Sequence, residues 1–479
     1  MKLPAYGEDR IALVCGTNRV TYGRLSAGIS DKLRILQRAG AHISRIALDI
    51  PDSVALLEWV LAAWQSNCCI MILDQRLTDQ DKEKRLNQFS PHAFIVSPGN
   101  ANRLHAFQME VPWHWKEGPR LAEREAAAAR ESATAEHAAI MLFSSGSTGM
   151  PKGIIRSFAS LEAEWTQYSK EPGAPAASSV TYCLVPISHS FGLISAALFT
   201  LRQGGTVLFP TALQPKALAA AMQQWPITHV YGVAFHYQLL AQGLEASRQD
   251  RDQVLRSALL LSSGGSLPPS MLAEYRDRFG MSIGQQYGMS EVGYISVDFY
   301  GAAAGSVGRP AAHLKGMRRE EDGQWVIELD CCPYVQAQSN WHAEQGMAGG
   351  LLLTEDLVDQ DEQGFLYIRG RTNDVVSIGG LKVRLQEVEQ AALRHPHVDA
   401  CCAAATQHST RGQVLHLFIV WNERGSVRAS VLQHWLRRFL SDYKIPKQIH
   451  SVERIPLSAA GKIIRSELLK ECSNGTAGS

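Results

Sequence analysis

Along the first 300 residues, short apolar runs of strand length alternate with longer segments whose apolar positions recur at helical spacing. Residues 46–50 (IALDI) read as a buried strand, and Asp52 or Ser53 can cap the helix that follows, VALLEWVLAAW. CCIMIL is the next apolar run, so the three form a βαβ unit. The pattern returns as VTYCLVPI, an apolar helix from Phe191, TVLF, the helix PKALAAAMQQW and THVYG. A helix near 236–244, the run ALLL, a helix near 268–279 and YISVDF complete it. This alternation predicts an α/β fold: mostly parallel sheets with helices on both faces, and a site at the carboxyl ends of the strands. Residues 119–139, rich in Ala, Glu and Arg, read as a solvated helix or linker. After about Arg371 the texture changes to strand-like runs (DACCAAA, VLHLFIVW) separated by two helical stretches, a separate α+β unit. The expected division is a large N-terminal domain, 1–371, and a small C-terminal domain, 372–479. The final CSNGTAGS, small and polar, reads as a fraying end.

Composition narrows the classes. The 479 residues suffice for about three folding units. With 47 Lys and Arg against 46 Asp and Glu, the chain lacks the basic excess of a nucleic-acid binder. No apolar run approaches the ~18 residues of a membrane span. The start, MKLPAYGEDR, has no apolar h-region of a secretory signal, so the expected location is cytoplasmic. Six of the nine cysteines form adjacent pairs, 68–69, 331–332 and 401–402, with no CxxC or Cys/His ligand spacing. They read as buried free thiols in a reducing compartment.

The most informative segment is Ser144-Ser145-Gly146-Ser147-Thr148-Gly149-Met150-Pro151-Lys152-Gly153, directly after the apolar run AIMLF. Glycines let backbone N–H groups approach phosphate oxygens, hydroxyls add donors, and a lysine supplies a point charge. A Walker P-loop needs Gly before the lysine and Ser or Thr after it. Here Pro151 precedes Lys152 and Gly153 follows, so a P-loop NTPase is excluded.

The string closely resembles the signature loop of the adenylate-forming superfamily, which holds acyl- and aryl-CoA synthetases, peptide-synthetase adenylation domains and luciferases. Further motifs follow in that superfamily's order. Residues 186–192 (PISHSFG) resemble the acid-pocket motif, and Ser263-Gly264-Gly265-Ser266 the adenine-side segment. Tyr287-Gly288-Met289-Ser290-Glu291 is similar to the YGxTE element, and GSVGRP over 305–310 and Thr354-Glu355-Asp356-Leu357 come after it. Gly370-Arg371-Thr372-Asn373-Asp374 resembles the inter-domain hinge, and Gly379-Gly380 with Glu387-Val388-Glu389 the loop beyond it. PLSAAGKI over 456–463 resembles the C-terminal lysine motif. The resemblance runs from about Arg10 to Leu469.

It implies a two-step reaction. A carboxylate attacks the α-phosphate of ATP, giving an acyl-adenylate and pyrophosphate, and a thiol then displaces AMP. An anion meets a polyanion, so charge neutralisation is the main demand. By this resemblance Ser144, Ser145, Gly146, Ser147, Thr148, Gly149 and Lys152 would hold the β- and γ-phosphates. Glu291 and Thr148 would hold Mg²⁺, a hard cation suited to oxygen ligands; read alone, Glu291 could equally be a helix-start carboxylate after Ser290. Gly264, Gly265, Ser266, Tyr287, Gly288 and Ser290 fall on the nucleotide side, with Tyr287 stacked on adenine. Asp356 would accept from the ribose hydroxyls, with Arg371 beside the ribose and phosphates. Lys462 would bridge the substrate carboxylate and α-phosphate in the transition state. The small domain would be mobile, pivoting at Asn373 to withdraw Lys462 and present Gly379 and Gly380 to the thiol.

Phe191, Gly192, Ala234 and Met289 fall in the acid pocket, and His189 would gate the acid or thiol channel. Amino-acid adenylating enzymes carry an Asp where this chain has Gly192, which favours an acyl or aryl acid. Several positions depart from the usual pattern: Phe158 replaces a His, Glu355 replaces a Gly, Ala234 replaces a Pro, and 311–353 is short. Together they suggest a specialised branch, of secondary metabolism. No phosphopantetheine-carrier motif lies within the chain, so the thiol is either CoA, the favoured choice, or a discrete acyl carrier protein. The rivals are a stand-alone amino-acid adenylating enzyme, luciferase chemistry, and a non-catalytic nucleotide-binding regulator. The last predicts loss of Lys462 or Glu291, and both are present.

Overall fold

A computed structural model describes residues 3, 6–39, 43–97, 138–144, 152–246, 257–265, 267–319, 323–330, 332–335, 341–343, 350–378, 381–408, 412–422, 425–457, 463–465 and 467–470. Among them the N-terminal 371 residues build three sheets. The largest has the strand order Arg309–Pro310, Gly293–Asp298, Ile283–Met289, Leu259–Ser263, His229–Gly232, Val180–Cys183, Thr206–Phe209, Ile11–Cys15, Asn18–Thr21. The six strands from Ile283–Met289 to Ile11–Cys15 are parallel, and antiparallel pairs close both edges. The second sheet runs Ala93–Val96, Arg45–Asp49, Cys69–Ile72, Ala138–Ser144, all parallel, with Lys152–Ser157 antiparallel at the end. A third, antiparallel sheet holds Lys315–Arg318, Gln324–Leu329, Gly350–Gln360, Trp341–Ala343 and Leu366–Arg371.

The expected βαβ unit is present. Asp52, not Ser53, caps the helix Ser53–Gln65 by accepting from the Ala55 N–H at 2.7 Å. That helix is apolar almost all round and buries Leu56, Leu57 and every residue from Trp59 to Trp64, because it lies inside the main core. The apolar helix from Phe191 begins as a π-helical segment, Phe191–Leu198, before Phe199–Arg202 continues as α-helix. Such segments are rare and often accompany functional sites. YISVDF belongs to an antiparallel hairpin strand, Gly293–Asp298, rather than to the parallel run.

Beyond Arg371 lies a smaller α+β unit. Val375–Ile378, Leu381–Arg384, Val398–His408, Gly412–Trp421 and Gln448–Ser451 form its sheet, under the helices Leu385–Leu393 and Ala429–Leu436. It buries its own core around Val383, Val388, Leu415, Leu417, Ile419, Leu432 and Leu436. The long strands 398–408 and 412–421 contain the two runs read from sequence.

The described cysteines are free, and five of the seven are buried, with Cys15 and Cys332 half-buried. Burial pushes the thiols of Cys69, Cys183 and Cys402 up to about 12, so they stay protonated and unreactive. No helix among the described residues is long and apolar enough to cross a membrane. Residues 119–137 of the linker reading and the last eight residues lie outside the described residues.

Candidate active site

Ser144 and Lys152 face each other across the antiparallel pair Ala138–Ser144 and Lys152–Ser157. Ser145, Gly146, Ser147, Thr148 and Gly149 lie outside the described residues. Lys152 opens the returning strand, and its Nζ lies 6.0 Å from the centroid of the Tyr334 ring. Tyr334 is held there by backbone pairing: Ile155 N–H donates to Pro333 O at 2.8 Å and Val335 N–H to Gly153 O at 3.1 Å. Its hydroxyl donates to Glu291 Oε1 at 2.8 Å. One buried tyrosine therefore joins the phosphate-loop lysine to the Mg²⁺-assigned carboxylate. Glu291 occupies the turn between Ile283–Met289 and Gly293–Asp298, which excludes the helix-start reading.

The Glu291 carboxylate, an oxygen donor, fits a hard cation such as magnesium. Among the described residues no three His, Cys, Asp or Glu side chains cluster. A single carboxylate beside a polyphosphate is how Mg²⁺ is commonly held, since it keeps several waters and takes further oxygens from phosphates.

Two of the residues that the sequence assigns to the nucleotide side, Tyr287 and Arg371, converge on Asp356, which is 4% exposed. Tyr287 Oη donates to its Oδ2 at 2.7 Å and Arg371 Nε to its Oδ1 at 2.8 Å. Asp356 and Arg371 are register partners on Gly350–Gln360 and Leu366–Arg371, so the sheet itself sets this pair. Burial and the neighbouring Asp356 charge push the Tyr287 hydroxyl well up, which keeps it a donor. The Asp356 charge likewise raises the Arg371 guanidinium. A carboxylate has about four lone-pair sites, so two remain for further donors. Gly264 needs its positive φ of 87°, and a Cβ on Gly265 would meet nothing within 4 Å. Gly288 lies close to the Gly293 carbonyl in the hairpin, with Ser290 in the turn beyond it. Ser266 lies outside the described residues.

Glu355 is one of three described non-glycine residues with positive φ, at 62°. This left-handed conformation costs a side-chain-bearing residue about 1–2 kcal/mol and aims Asp356 from a strand whose register shifts just beyond it. It also explains why glycine suits this position. Glu355→Gly is expected to be neutral or stabilising by up to about 1 kcal/mol in thermal denaturation, against the ~1 kcal/mol loss glycine brings elsewhere in a strand.

On the acid side, the Phe191 ring stands 5.4 Å from Tyr231. Phe191, Val233, Tyr287 and Met289 all pack on the main core, whereas Ala234 starts the helix Ala234–Ala246 and packs on a second core. Val233, rather than Ala234, shares the surroundings of the other assigned pocket residues. Gly192 has a packing reason: a Cβ there would lie 2.4 Å from the Pro186 carbonyl oxygen. Gly192→Ala is expected to cost about 1–3 kcal/mol of stability; an unchanged unfolding midpoint would contradict the packing.

A carboxylate missed in the sequence organises this end. Asp74 follows the strand Cys69–Ile72 and is 5% exposed. Arg76 Nε and Nη2 reach its two oxygens at 2.9 and 2.8 Å, and Ser188 Oγ donates to Oδ2 at 2.6 Å. His189 Nε2 lies 3.3 Å from Oδ2, a close contact without hydrogen-bond alignment. Burial alone would raise the Asp74 carboxyl, but its contacts with Arg76, His189 and Ser188 outweigh it and hold the group far below the usual range. Its place at the carboxyl end of a parallel strand was the available signal. Tyr334 carried none, since it sits in the least recognisable stretch.

The backbone of Asn373 lies in the short 3-10 turn Thr372–Asp374, two residues past Arg371. Gly379, Gly380 and Lys462 lie outside the described residues.

The sequence model of the AMP-binding enzyme family matches residues 4–324, and that of the AMP-binding enzyme C-terminal domain matches residues 387–462. A feruloyl-CoA synthase of Amycolatopsis sp is 27% identical over 95% of this chain and 94% of its own length. A 2-succinylbenzoate–CoA ligase of Geobacillus kaustophilus is 25% identical over 96% and 94%. The crystal structure of ATP-bound MatB from Rhodopseudomonas palustris superposes with a TM-score of 0.82 at 21% identity, covering 98% of this chain and 97% of that one. The chain belongs to the AMP-binding enzyme family of the adenylate-forming superfamily, acid–thiol ligases that activate a carboxylic acid as its acyl-adenylate and pass the acyl group to a thiol.

Proposed function

We propose that this enzyme activates an aryl or acyl acid and transfers it to CoA. The observation that carries the reading is the meeting of Lys152 and Glu291 on Tyr334, which supports reading the two as one cation and one carboxylate of a shared polyphosphate site. Lys152 neutralises the β- and γ-phosphates together with the loop hydroxyls. Glu291 and Thr148 would hold Mg²⁺, which when bound neutralises phosphate charge. Asp356, oriented by Tyr287 and Arg371, uses its remaining lone pairs for the ribose hydroxyls. Tyr287 carries its ring against the adenine, with the open space at Gly265 left for the base. Lys462 stabilises the charge that builds between carboxylate and α-phosphate.

An aryl or acyl acid is favoured over an amino acid because no side chain fits at position 192 to pair with an ammonium group. The named activities of the feruloyl-CoA and 2-succinylbenzoate relatives support an aromatic acid. Charge supports a polyanionic thiol: residues 372–479 carry 14 Lys and Arg against 9 Asp and Glu, while the first 371 carry 33 against 37. CoA brings its own phosphates to that basic unit. We divide the chain after Arg371, whose guanidinium is tied to the N-terminal Asp356. The free cysteines suit a reducing compartment, the cytoplasm.

The test is product analysis with ATP, Mg²⁺ and CoA against hydroxycinnamates, 2-succinylbenzoate and malonate. The expected products are AMP and one acyl-CoA class. Acyl-adenylate that accumulates with CoA present, and is discharged only by a phosphopantetheinyl carrier protein, would overturn the choice of acceptor.

A further inference from the structure

Arg465, three residues beyond Lys462, has every arm of its guanidinium engaged. Nε donates to the Ala403 carbonyl at 3.0 Å, Nη2 to Glu389 Oε1 at 3.0 Å, and Nη1 lies 3.3 Å from Asp374 Oδ1. Glu389 is 9% exposed, and the same oxygen accepts from Ala403 N–H at 2.9 Å, so one side of this fork is fixed in the small unit's interior. The chain around Arg465 is fixed as well. Leu457 and Ile463 form an isolated antiparallel bridge, Ile464 N–H donates to Pro456 O at 2.9 Å, and Leu468 is buried with Cys402, Ala404 and Phe418. These contacts fix the chain on both sides of residues 458–462.

Asp374 sits at the other end of the connection. It ends the turn Thr372–Asp374, while Arg371, just before that turn, is tied to Asp356 of the N-terminal sheet. Two ion pairs therefore bracket Thr372 and Asn373, one anchored on each unit.

We propose that Arg465 is a positioning residue that locks the base of the Lys462 segment to Asp374, so that backbone rotation is confined to Thr372 and Asn373 and carries the lysine as part of one body. The inference rests on reading Lys462 as the adenylation lysine. The guanidinium spreads its donors over three nitrogens in a rigid plane, a geometry that the single nitrogen of an ammonium group does not reproduce. Loosening the fork misplaces the lysine in adenylation and leaves thiol transfer, where the lysine is withdrawn, unaffected.

The experiment measures both half-reactions on the full-length enzyme: acid-dependent ATP–pyrophosphate exchange, and CoA-dependent discharge of supplied acyl-adenylate. Asp374→Asn is the primary variant, because Glu389 keeps its partner and the buried carboxylate is not orphaned. Arg465→Lys is the second. Each is expected to lower exchange by about 10- to 100-fold, the scale of a misplaced catalytic group. Discharge should stay within about twofold, Asp374→Glu should recover part of the loss, and the unfolding midpoint of Asp374→Asn should hold. A merely structural role moves both half-reactions together and lowers the midpoint. Lys462→Ala is run alongside. If it lowers exchange selectively while Asp374→Asn and Arg465→Lys affect both steps equally or neither, the positioning role is overturned. If Lys462→Ala itself spares exchange, the lysine assignment fails, and the positioning role with it.

Discussion

Replacing Lys462 with Ala is expected to lower acid-dependent pyrophosphate exchange by about 10²–10³, the scale of removing one preorganised charge contact from a transition state. The reason is where charge accumulates. In adenylation a carboxylate approaches a triphosphate, and negative charge concentrates between the attacking oxygen and the α-phosphate. In the proposed reading Lys152, at the loop, serves the far phosphates, and a second cation is needed at the near end. ATP affinity should change little, because the contact strengthens only in the transition state. Discharge of supplied acyl-adenylate by thiol should be largely spared. Equal loss in both steps would contradict a lysine that serves adenylation alone.

Asp356→Ala should act differently, mainly on ATP binding. The substitution removes the proposed ribose acceptor and strands two donors, Tyr287 Oη and Arg371 Nε, at a buried position. An unsatisfied buried polar group costs about 1–3 kcal/mol, so local order around Tyr287 should suffer along with affinity. ATP binding measured by calorimetry should weaken by about tenfold or more, each tenfold being about 1.4 kcal/mol. Asp356→Asn separates the causes. It keeps an acceptor for Tyr287 while removing the charge that faces Arg371, and should fall between wild type and Asp356→Ala. Unchanged ATP affinity in Asp356→Ala would mean that the ribose assignment is wrong.

What was legible in the chain follows from what each signal depends on. The parallel strands and covering helices were readable because apolar runs such as IALDI and CCIMIL are buried on both faces, so periodicity alone marks them. The antiparallel hairpin 283–298 was not separable from a parallel strand, since register and direction leave no trace in composition. Motif residues such as Tyr287, Asp356 and Arg371 could be singled out by resemblance. Their mutual contacts could not, because Asp356 and Tyr287 are 69 positions apart and meet only through tertiary packing. Asp74 and Tyr334 escaped for the same reason. Each acts through a partner more than 40 residues away. Glu355 illustrates the reverse case: an unexpected residue type in sequence became a defined backbone conformation in the structure.

The central claim, acid activation by adenylate formation, is tested most directly by ATP–pyrophosphate exchange across a panel of aryl, fatty, dicarboxylic and amino acids. The assay needs no knowledge of the thiol. Exchange that depends on one aryl or acyl class, and is abolished in Lys462→Ala, is the expected result. Exchange driven by an amino acid would contradict the reading of Gly192, and silence across the panel with ATP binding intact would contradict acid activation itself.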